Sequence, residues 1–333
     1  LPDVAVVPSE HFNTVLYTGN GSTQSITGVG FQSDFIWTKQ RSATRNHSLT
    51  DAVRGVTKNL ASDLTEAEGT VSNRITAFGS DGFSLGDGGY VNASSGTYVS
   101  WNWKANGSGS SNTNGSINST VSANVDAGFS IVKYPTDSSE ETVGHGLSKA
   151  PELVITKALD VAANWFTWHK DFTAYQGVKL NSTSAKFTNG SSRLIYSAGS
   201  STMGLGLQVI GSGDYGVGNE MIAYCFHSVD GYSKVGSYIG NGNVDGAFVY
   251  TGFRPAWIMI KKSSGSESWW MVDNKRRTYN PQEFGLQANS SDDELGVSKP
   301  LDIVSNGFKS RKATGYHNDS GATYIYLAFA ETP

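Results

Sequence analysis

Phe35-Ile36-Trp37-Thr38-Lys39 returns as Leu153-Val154-Ile155-Thr156-Lys157 and again as Trp257-Ile258-Met259-Ile260-Lys261. Each run is short, apolar and rich in β-branched and aromatic side chains, which predicts a strand. The neighbours of these runs recur too. Tyr17-Thr18-Gly19-Asn20-Gly21-Ser22 precedes the first and Tyr238-Ile239-Gly240-Asn241-Gly242-Asn243 the third, with Tyr134-Pro135-Thr136-Asp137 as a looser counterpart. Downstream, Leu60-Ala61-Ser62-Asp63, Leu180-Asn181-Ser182-Thr183 and Leu286-Gln287-Ala288-Asn289 correspond. Asp51-Ala52-Val53-Arg54 answers Asp273-Asn274-Lys275-Arg276, and Ser80-Asp81-Gly82-Phe83 answers Ser305-Asn306-Gly307-Phe308. Every copy closes on an aromatic strand: Tyr98-Val99-Ser100-Trp101-Asn102-Trp103, Ile222-Ala223-Tyr224-Cys225-Phe226 and Tyr324-Ile325-Tyr326-Leu327-Ala328-Phe329. The period, roughly 105–115 residues, is the size of a domain and exceeds the ~20–50 residues of a solenoid repeat.

The expected architecture is all-β: three tandem antiparallel β-sandwich, jelly-roll-like domains over 1–105, 125–228 and 229–333. Asn-Gly and Asp-Gly at Asn20-Gly21, Asp81-Gly82, Asp87-Gly88, Asn189-Gly190, Asn241-Gly242 and Asn306-Gly307 supply tight turns. In the first closing strand Val99, Trp101 and Trp103 share one face, and Tyr98, Ser100 and Asn102 the other. Only Ser62–Glu68 resembles a capped helical turn. The Gly/Ser/Asn-rich stretch 106–124 reads as a linker. A strand over Ser116–Val125 would align Ile117, Val121, Ala123 and Val125, but Ser119 interrupts the row. The first domain is therefore expected to be the most independent, with the second and third closely packed.

Composition narrows the function. Of 333 residues 39 are Gly and only 16% are charged, while 11% are aromatic, so polarity rests on Ser, Thr, Asn and Gly and disorder is excluded. The net charge of −4 argues against a nucleic-acid surface, and Lys275-Arg276-Arg277 is too short a basic run to revise that. No apolar run reaches the ~18 residues of a membrane span. Leu1-Pro2-Asp3-Val4 shows no signal-peptide pattern and no initiator Met, which suggests a processed chain or a piece of a longer one. Cys225 is the single cysteine, so no internal disulfide exists; its apolar neighbours predict a buried, inert thiol.

The sequence resembles virion proteins of tailed phages, especially marine ones, of the kind labelled tail fibre or virion structural protein and related to the laminin-G/concanavalin-like jelly rolls. The resemblance covers nearly the whole chain. It is carried by Gly128-Phe129-Ser130-Ile131-Val132, Thr142-Val143-Gly144-His145-Gly146-Leu147, Tyr238-Ile239-Gly240-Asn241-Gly242, Val249-Tyr250-Thr251-Gly252-Phe253-Arg254-Pro255 and Thr323-Tyr324-Ile325-Tyr326-Leu327-Ala328-Phe329-Ala330-Glu331. It implies an extracellular particle, a homo-oligomer and host-surface binding, with a trimer and contacts to other virion proteins as the expected assembly.

Catalytic residues are not found. A glycosidase needs two carboxylates facing one sugar. Ser139-Glu140-Glu141, Asp292-Asp293-Glu294 and Asp63/Glu66/Glu68 read instead as solvated loops. Gly211-Ser212-Gly213-Asp214 and Gly107-Ser108-Gly109-Ser110 are loop compositions, not nucleophile elbows. His11, His47, His145, His169, His227 and His317 are scattered, so no zinc site and no cofactor are expected. For calcium, Asp292-Asp293-Glu294 and Asp81/Asp87 are the available donors, and ordinary turn acids are the competing reading.

The candidate ligand-binding residues are Trp165, Trp168, Trp269 and Trp270, with Arg45 and His47 in loops; Arg54 is a further loop candidate. Sugar sites place an aromatic face beside polar side chains. The same indoles also fit a sandwich core with a domain contact, since adjacent Trp269 and Trp270 must point to opposite faces. Trp37 and Trp257 are read as equivalent core positions. The expected function is a non-enzymatic tail fibre or spike that binds a host surface glycan. A capsid decoration or head-fibre protein, a polysaccharide-degrading spike and a secreted lectin-like adhesin are the alternatives.

Overall fold

The computed structural model describes residues 6–136, 140–188, 195–206 and 218–332. The dipeptide Asn189-Gly190, the loop Gly211–Asp214 and the segment Leu1–Val4 lie outside them. The chain is almost entirely antiparallel β. The first segment holds a 3₁₀ turn at Pro8–Glu10, then β1 (Phe12–Thr18), β2 (Gln24–Ile26), β3 (Phe35–Gln40), β4 (Ser48–Asp51), β5 (Lys58–Asn59), β6 (Gly69–Thr70), β7 (Ile75–Gly79), β8 (Gly82–Leu85), the single helical turn α1 (Gly89–Asn92) and β9 (Thr97–Trp103). Next come β10 (Ser110–Asn112) and β11 (Ser119–Asn124). The second segment holds β12 (Phe129–Pro135), β13 (Glu141–Gly144), β14 (Leu153–Ala158), β15 (Phe166–His169), β16 (Gln176–Lys179), β17 (Phe187–Thr188), β18 (Ile195–Ala198), β19 (Thr202–Leu205) and β20 (Glu220–Phe226). The third holds β21 (Ser233–Ile239), β22 (Phe248–Tyr250), β23 (Pro255–Lys262), β24 (Trp270–Asp273), β25 (Gln282–Gln287), β26 (Leu295–Val304), β27 (Gly307–Ser310) and β28 (Thr323–Ala330).

One pairing order occurs in all three segments. The inner sheet runs β1-β9-β3-β4 in the first, β12-β20-β14-β15 in the second and β21-β28-β23-β24 in the third. An outer layer follows as β2-β8-β7, β13-β19-β18 and β22-β27-β26. In each case the segment's last strand sits between its first and third. The strand-forming pentapeptides are β3, β14 and β23, and their ladders set them in register: Phe35, Leu153 and Trp257 stand opposite Trp103, Phe226 and Phe329. Trp37 and Trp257 are therefore two residues out of step, which corrects their reading as equivalent positions; the alignment of the pentapeptides themselves holds. A two-residue shift keeps a side chain on the same face of a strand, so both indoles are core residues all the same.

The inner sheets are buried on both faces, which is why their strands read as unbroken apolar runs. Ile36 faces the first segment's own outer sheet with Ile26, Ile75, Phe83 and Leu85. Phe35, Trp37, Trp101 and Trp103 face the other way, into one cluster shared by all three segments. The alternation expected of β9 holds, and its polar face is buried as well: Asn102 Nδ2 donates to Asn13 O at 3.2 Å and Ser100 Oγ lies 3.1 Å from Asn102 Oδ1. At the middle of the shared cluster the register-equivalent Trp103, Phe226 and Phe329 form a triangle. Their ring centroids are 6.5 Å, 6.1 Å and 5.7 Å apart.

Around this triangle the segments close a ring. Arg45 N donates to Ser291 O (2.8 Å), Ala163 N to Thr65 O (2.7 Å) and Glu267 N to Thr183 O (2.8 Å). Glu294 N donates to Arg41 O (2.9 Å), Glu68 N to Leu159 O (2.8 Å) and Lys186 N to Ser263 O (2.8 Å). Every seam thus carries the same two backbone bonds. The first segment touches both others and is not the independent unit that the stretch 106–124 suggested. That stretch is also more than a linker. It carries β10 and β11, and β11 extends the second segment's sheet against β12. Ser119, which interrupted the apolar row, is buried with its Oγ donating to Gly144 O at 3.2 Å, while Val121 and Ala123 pack on the core. The expected helical turn at Ser62–Glu68 does not form. Ser62 Oγ donates to Ala288 O and Asp63 Oδ1 accepts the His47 N–H, so both side chains that could cap a helix tie seam and loop instead.

Candidate functional site

The residues singled out by sequence are mostly part of the ring. Counting four residues back from Asp51, His169 and Asp273, which stand opposite Phe35, Leu153 and Trp257, places His47, Trp165 and Trp269 at one equivalent position. All three are buried and all three bond across a seam. Trp165 Nε1 donates to Ala61 O at 2.8 Å and Trp269 Nε1 to Lys179 O at 2.9 Å. His47 Nδ1 accepts from Trp37 Nε1 at 2.8 Å, which leaves Nε2 as the donor to Gln287 O at 3.0 Å. Burial, reinforced by the Lys39 charge, pushes the His47 imidazole down to about 3, so it sits neutral in this role. Trp270 is buried against Tyr316, with Gly285 beneath its indole where any Cβ would collide. Trp168 is only 9% exposed. None of the four indoles presents a face to a sugar.

Arg45 is the one predicted ligand residue whose side chain faces solvent, and its guanidinium lies 5.4 Å from the Tyr90 ring. Arg54, expected in an open loop, is buried. It pairs with Asp51 at 2.5 Å and Glu68 at 3.2 Å, and donates to Leu49 O. Asp51 also accepts the Tyr224 hydroxyl of the second segment at 2.8 Å. The third segment repeats the corner with Asp273–Arg276 at 2.6 Å and Arg276–Glu294 at 3.0 Å, and Asp273 accepts Trp101 Nε1 of the first segment at 3.1 Å.

Sequence reasoning missed the lysine that ends each repeated strand. Lys39, Lys157 and Lys261 are buried and bond to carbonyls: Lys39 to Ser291 O at 3.2 Å and Lys261 to Thr183 O at 3.2 Å across seams, Lys157 to Ala158 O at 2.8 Å. Burial pushes each ammonium down to about 8. Their recurrence after Thr38, Thr156 and Ile260 was the available signal.

Three of the proposed calcium donors are engaged by protein groups. Asp81 accepts the Gly28 and Gly30 N–H groups (3.0 and 2.6 Å), Asp87 the Asn73 amide, and Glu294 binds Arg41 and Arg276. Among the described residues no group of three or more His, Cys, Asp or Glu side chains could hold a metal ion. Cys225 is buried, with its thiol pushed up to about 12 by desolvation. A cleft of about 280 Å³ between the first and second segments is lined by Arg54, Lys58, Glu68, Lys133, Asp160 and Glu220. Its carboxylates are occupied: Glu68 by Arg54 and Lys58, Glu220 by Lys133, and Asp160 by the Glu220 N–H.

The surface that stands out is the outer edge of the third segment. β22 alternates so that Val249 is 5% exposed while Phe248 and Tyr250 are 49% and 64% exposed. Beside them lie charges from β26, β27 and the loops that precede β22 and follow β27: Lys309–Asp245 at 2.6 Å and Arg311–Asp302 at 2.5 Å. The other segments differ here. Ile26 and Val249 pair with the equivalent Phe83 and Phe308, so Ser25 and Thr27 stand where the third segment has Phe248 and Tyr250. In the second segment Thr142 and Gly144 flank the buried Val143. The run Phe248-Val249-Tyr250 is apolar throughout, so its sequence did not reveal which residues face out. Chemically, this face can stack on the apolar face of a ring and bond hydroxyl or charged groups with adjacent Lys309, Arg311 and Asp245.

No curated protein matches the chain. One family, described as a domain of unknown function (DUF7483), matches residues 7–333, across all three segments, and the chain belongs to it.

Proposed function

We propose that this protein is a non-enzymatic structural component of a tailed-phage virion, a tail fibre or spike part on the particle surface. In this reading the outer face of the third segment binds a host surface glycan. The observation that carries it is the pair Phe248 and Tyr250, exposed on a sheet face beside Lys309, Arg311 and Asp245. Exposed rings next to hydrogen-bonding groups fit the two-sided chemistry of a sugar, with apolar C–H faces and polar rims. The ring of three segments supports the reading as a rigid mount, since the three inner sheets share one aromatic core and the buried corner arginines are paired with carboxylates. Homo-oligomer formation and contacts with other virion proteins belong to the same proposal, and must use surfaces outside the seams.

The test is binding of the purified chain to bacterial capsular polysaccharide, lipopolysaccharide O-chains and teichoic acids, by array and then calorimetry. Tyr250→Ala is expected to weaken a positive glycan about tenfold, the size of one aromatic stacking contact of up to ~1.5 kcal/mol. Binding that survives loss of both rings sinks this placement of the site.

A further inference from the structure

We propose that the free edge of β22 pairs with the same edge of a second copy of this chain, antiparallel and across a two-fold axis. The inference concerns the strand's backbone and goes beyond what its rings bind.

β22 is the last strand of its sheet. Ser310 N donates to Ala247 O and Thr251 N to Asn306 O, at 3.2 Å and 3.0 Å. Hydrogen-bonded pairs alternate along an antiparallel ladder, so Ala247, Val249 and Thr251 turn their backbone groups toward β27. Phe248 and Tyr250 then turn theirs outward. Among the described residues no strand pairs with that side.

The fold already covers this edge once. In the second segment the equivalent strand β13 is met by the stretch around Ser116. Ser116 N and Ile117 N both donate to Thr142 O, at 2.9 Å and 3.2 Å, and Gly115 and Ile117 bridge to Val143. Thr142 is the register counterpart of Phe248. Backbone pairing onto this edge is therefore part of the architecture, supplied within the chain as short bridges for one segment and left open in the third.

A second copy suits the opening. With Val249 on the axis, Phe248 faces the second copy's Tyr250, and Tyr250 its Phe248. The outward N–H and C=O of both residues are then satisfied in two hydrogen-bonded pairs. Directly opposed side chains come within ~4.5–5.5 Å, so four rings gather on one face. Flanking Gly246, Ala247, Thr251 and Gly252 are small enough for close approach. The strand also lacks the usual guards against pairing, since Ala247–Gly252 contains no charge and no proline. In the first segment the same edge is polar, Gln24-Ser25-Ile26-Thr27. A three-residue strand makes a small interface, so the pairing is weak and depends on concentration.

Sedimentation velocity of the full chain from micromolar to several hundred micromolar tests it. The expected result is a shift from the 35.5 kDa monomer toward twice that mass. Tyr250→Pro removes only an outward N–H, a place where an edge strand tolerates proline, and is expected to hold the protein monomeric with an unchanged melting temperature. If that variant fails to fold, the double variant Phe248→Lys/Tyr250→Lys sets like charges opposite each other across the axis and is expected to be monomeric. A monomer at every concentration, a trimer, or a dimer that survives these changes overturns the proposal. Tyr250→Ala keeps the N–H, so loss of glycan binding with retained dimerisation separates failure of one reading from failure of the other.

Discussion

The second segment meets its neighbours with chemistry unlike that of the first and third. At one register position these carry Asp51 and Asp273, each paired three residues on with a buried Arg54 or Arg276. The second has His169 there, with Phe172 three residues on and their rings 5.6 Å apart. The residue arriving from the next segment changes in step. Tyr224 offers its hydroxyl to Asp51 and Trp101 its indole N–H to Asp273. Their counterpart in the third segment's closing strand is Leu327, which has no polar group to offer. A charged corner arrives complete, with pair and polar cap, or it is replaced as a set by an uncharged one. A buried charge with one partner missing is worse than either complete arrangement.

The comparison can be broken most sharply at the charged corners. Arg54→Phe leaves Asp51 buried without its guanidinium and is expected to cost about 3–5 kcal/mol, read as a lowered urea midpoint at unchanged slope. Adding Asp51→His builds the second segment's pair in the first and should recover at least half of that loss. A double variant no better than the single one means that the corners are not interchangeable sets.

Acidity sharpens it next. Burial holds His47 at about 3 and His169 at about 4, both below the usual imidazole value. A lowered histidine stabilises the fold above about pH 6.5, and that stability is lost as pH falls toward its folded value. Each contributes on the order of a few kcal/mol by this route. Asp63, raised to about 6 by burial, works the other way. Its contribution is full below about pH 3.8 and disappears as pH rises through 6. The net expectation is a falling melting temperature between pH 6.5 and 4. His47→Gln should flatten part of that fall, because glutamine can bond to Gln287 O without titrating.

The lysines act in the same direction, in a more alkaline window. Lys39, Lys157 and Lys261 are lowered to about 8, so their contribution is full above about pH 10.4, the ordinary lysine value, and is lost as pH falls through 8. Chemical-denaturation midpoints should rise between pH 8 and 10, and Lys157→Met should reduce the rise. The smallest expected change is at the outer edge. Tyr250→Ala should alter stability by less than about 0.5 kcal/mol, in contrast to any substitution at a corner.

Strands, turns and repeats were legible because they depend on local pattern. β3, β14 and β23 appear in the residues as they do in space, and reading Trp37 and Trp257 as equivalent, although they lie two residues out of step, still placed both in the core. The role of the indoles was not legible. Whether Trp165 faces a ligand or Ala61 O depends on a neighbouring segment 104 positions away, and no local rule specifies that neighbour. The linker composition of 106–124 misled for a related reason. Ser119 counts as polar until Gly144 O is placed opposite it. Phe248 and Tyr250 escaped notice because exposure is a property of the edge, which the strand order creates.

Ring closure also imposes a timetable. The His47 imidazole bonds to Gln287 O across 240 positions and Lys39 to Ser291 O across 252. At ~5–20 residues per second of synthesis, the first segment waits roughly 10–50 seconds for the carbonyls that complete its seam. During that time a buried-type lysine and an indole-lined face stand in water. A nascent chain halted before the third segment would keep them there, which makes an interrupted product easy for proteases and chaperones to distinguish from a finished one.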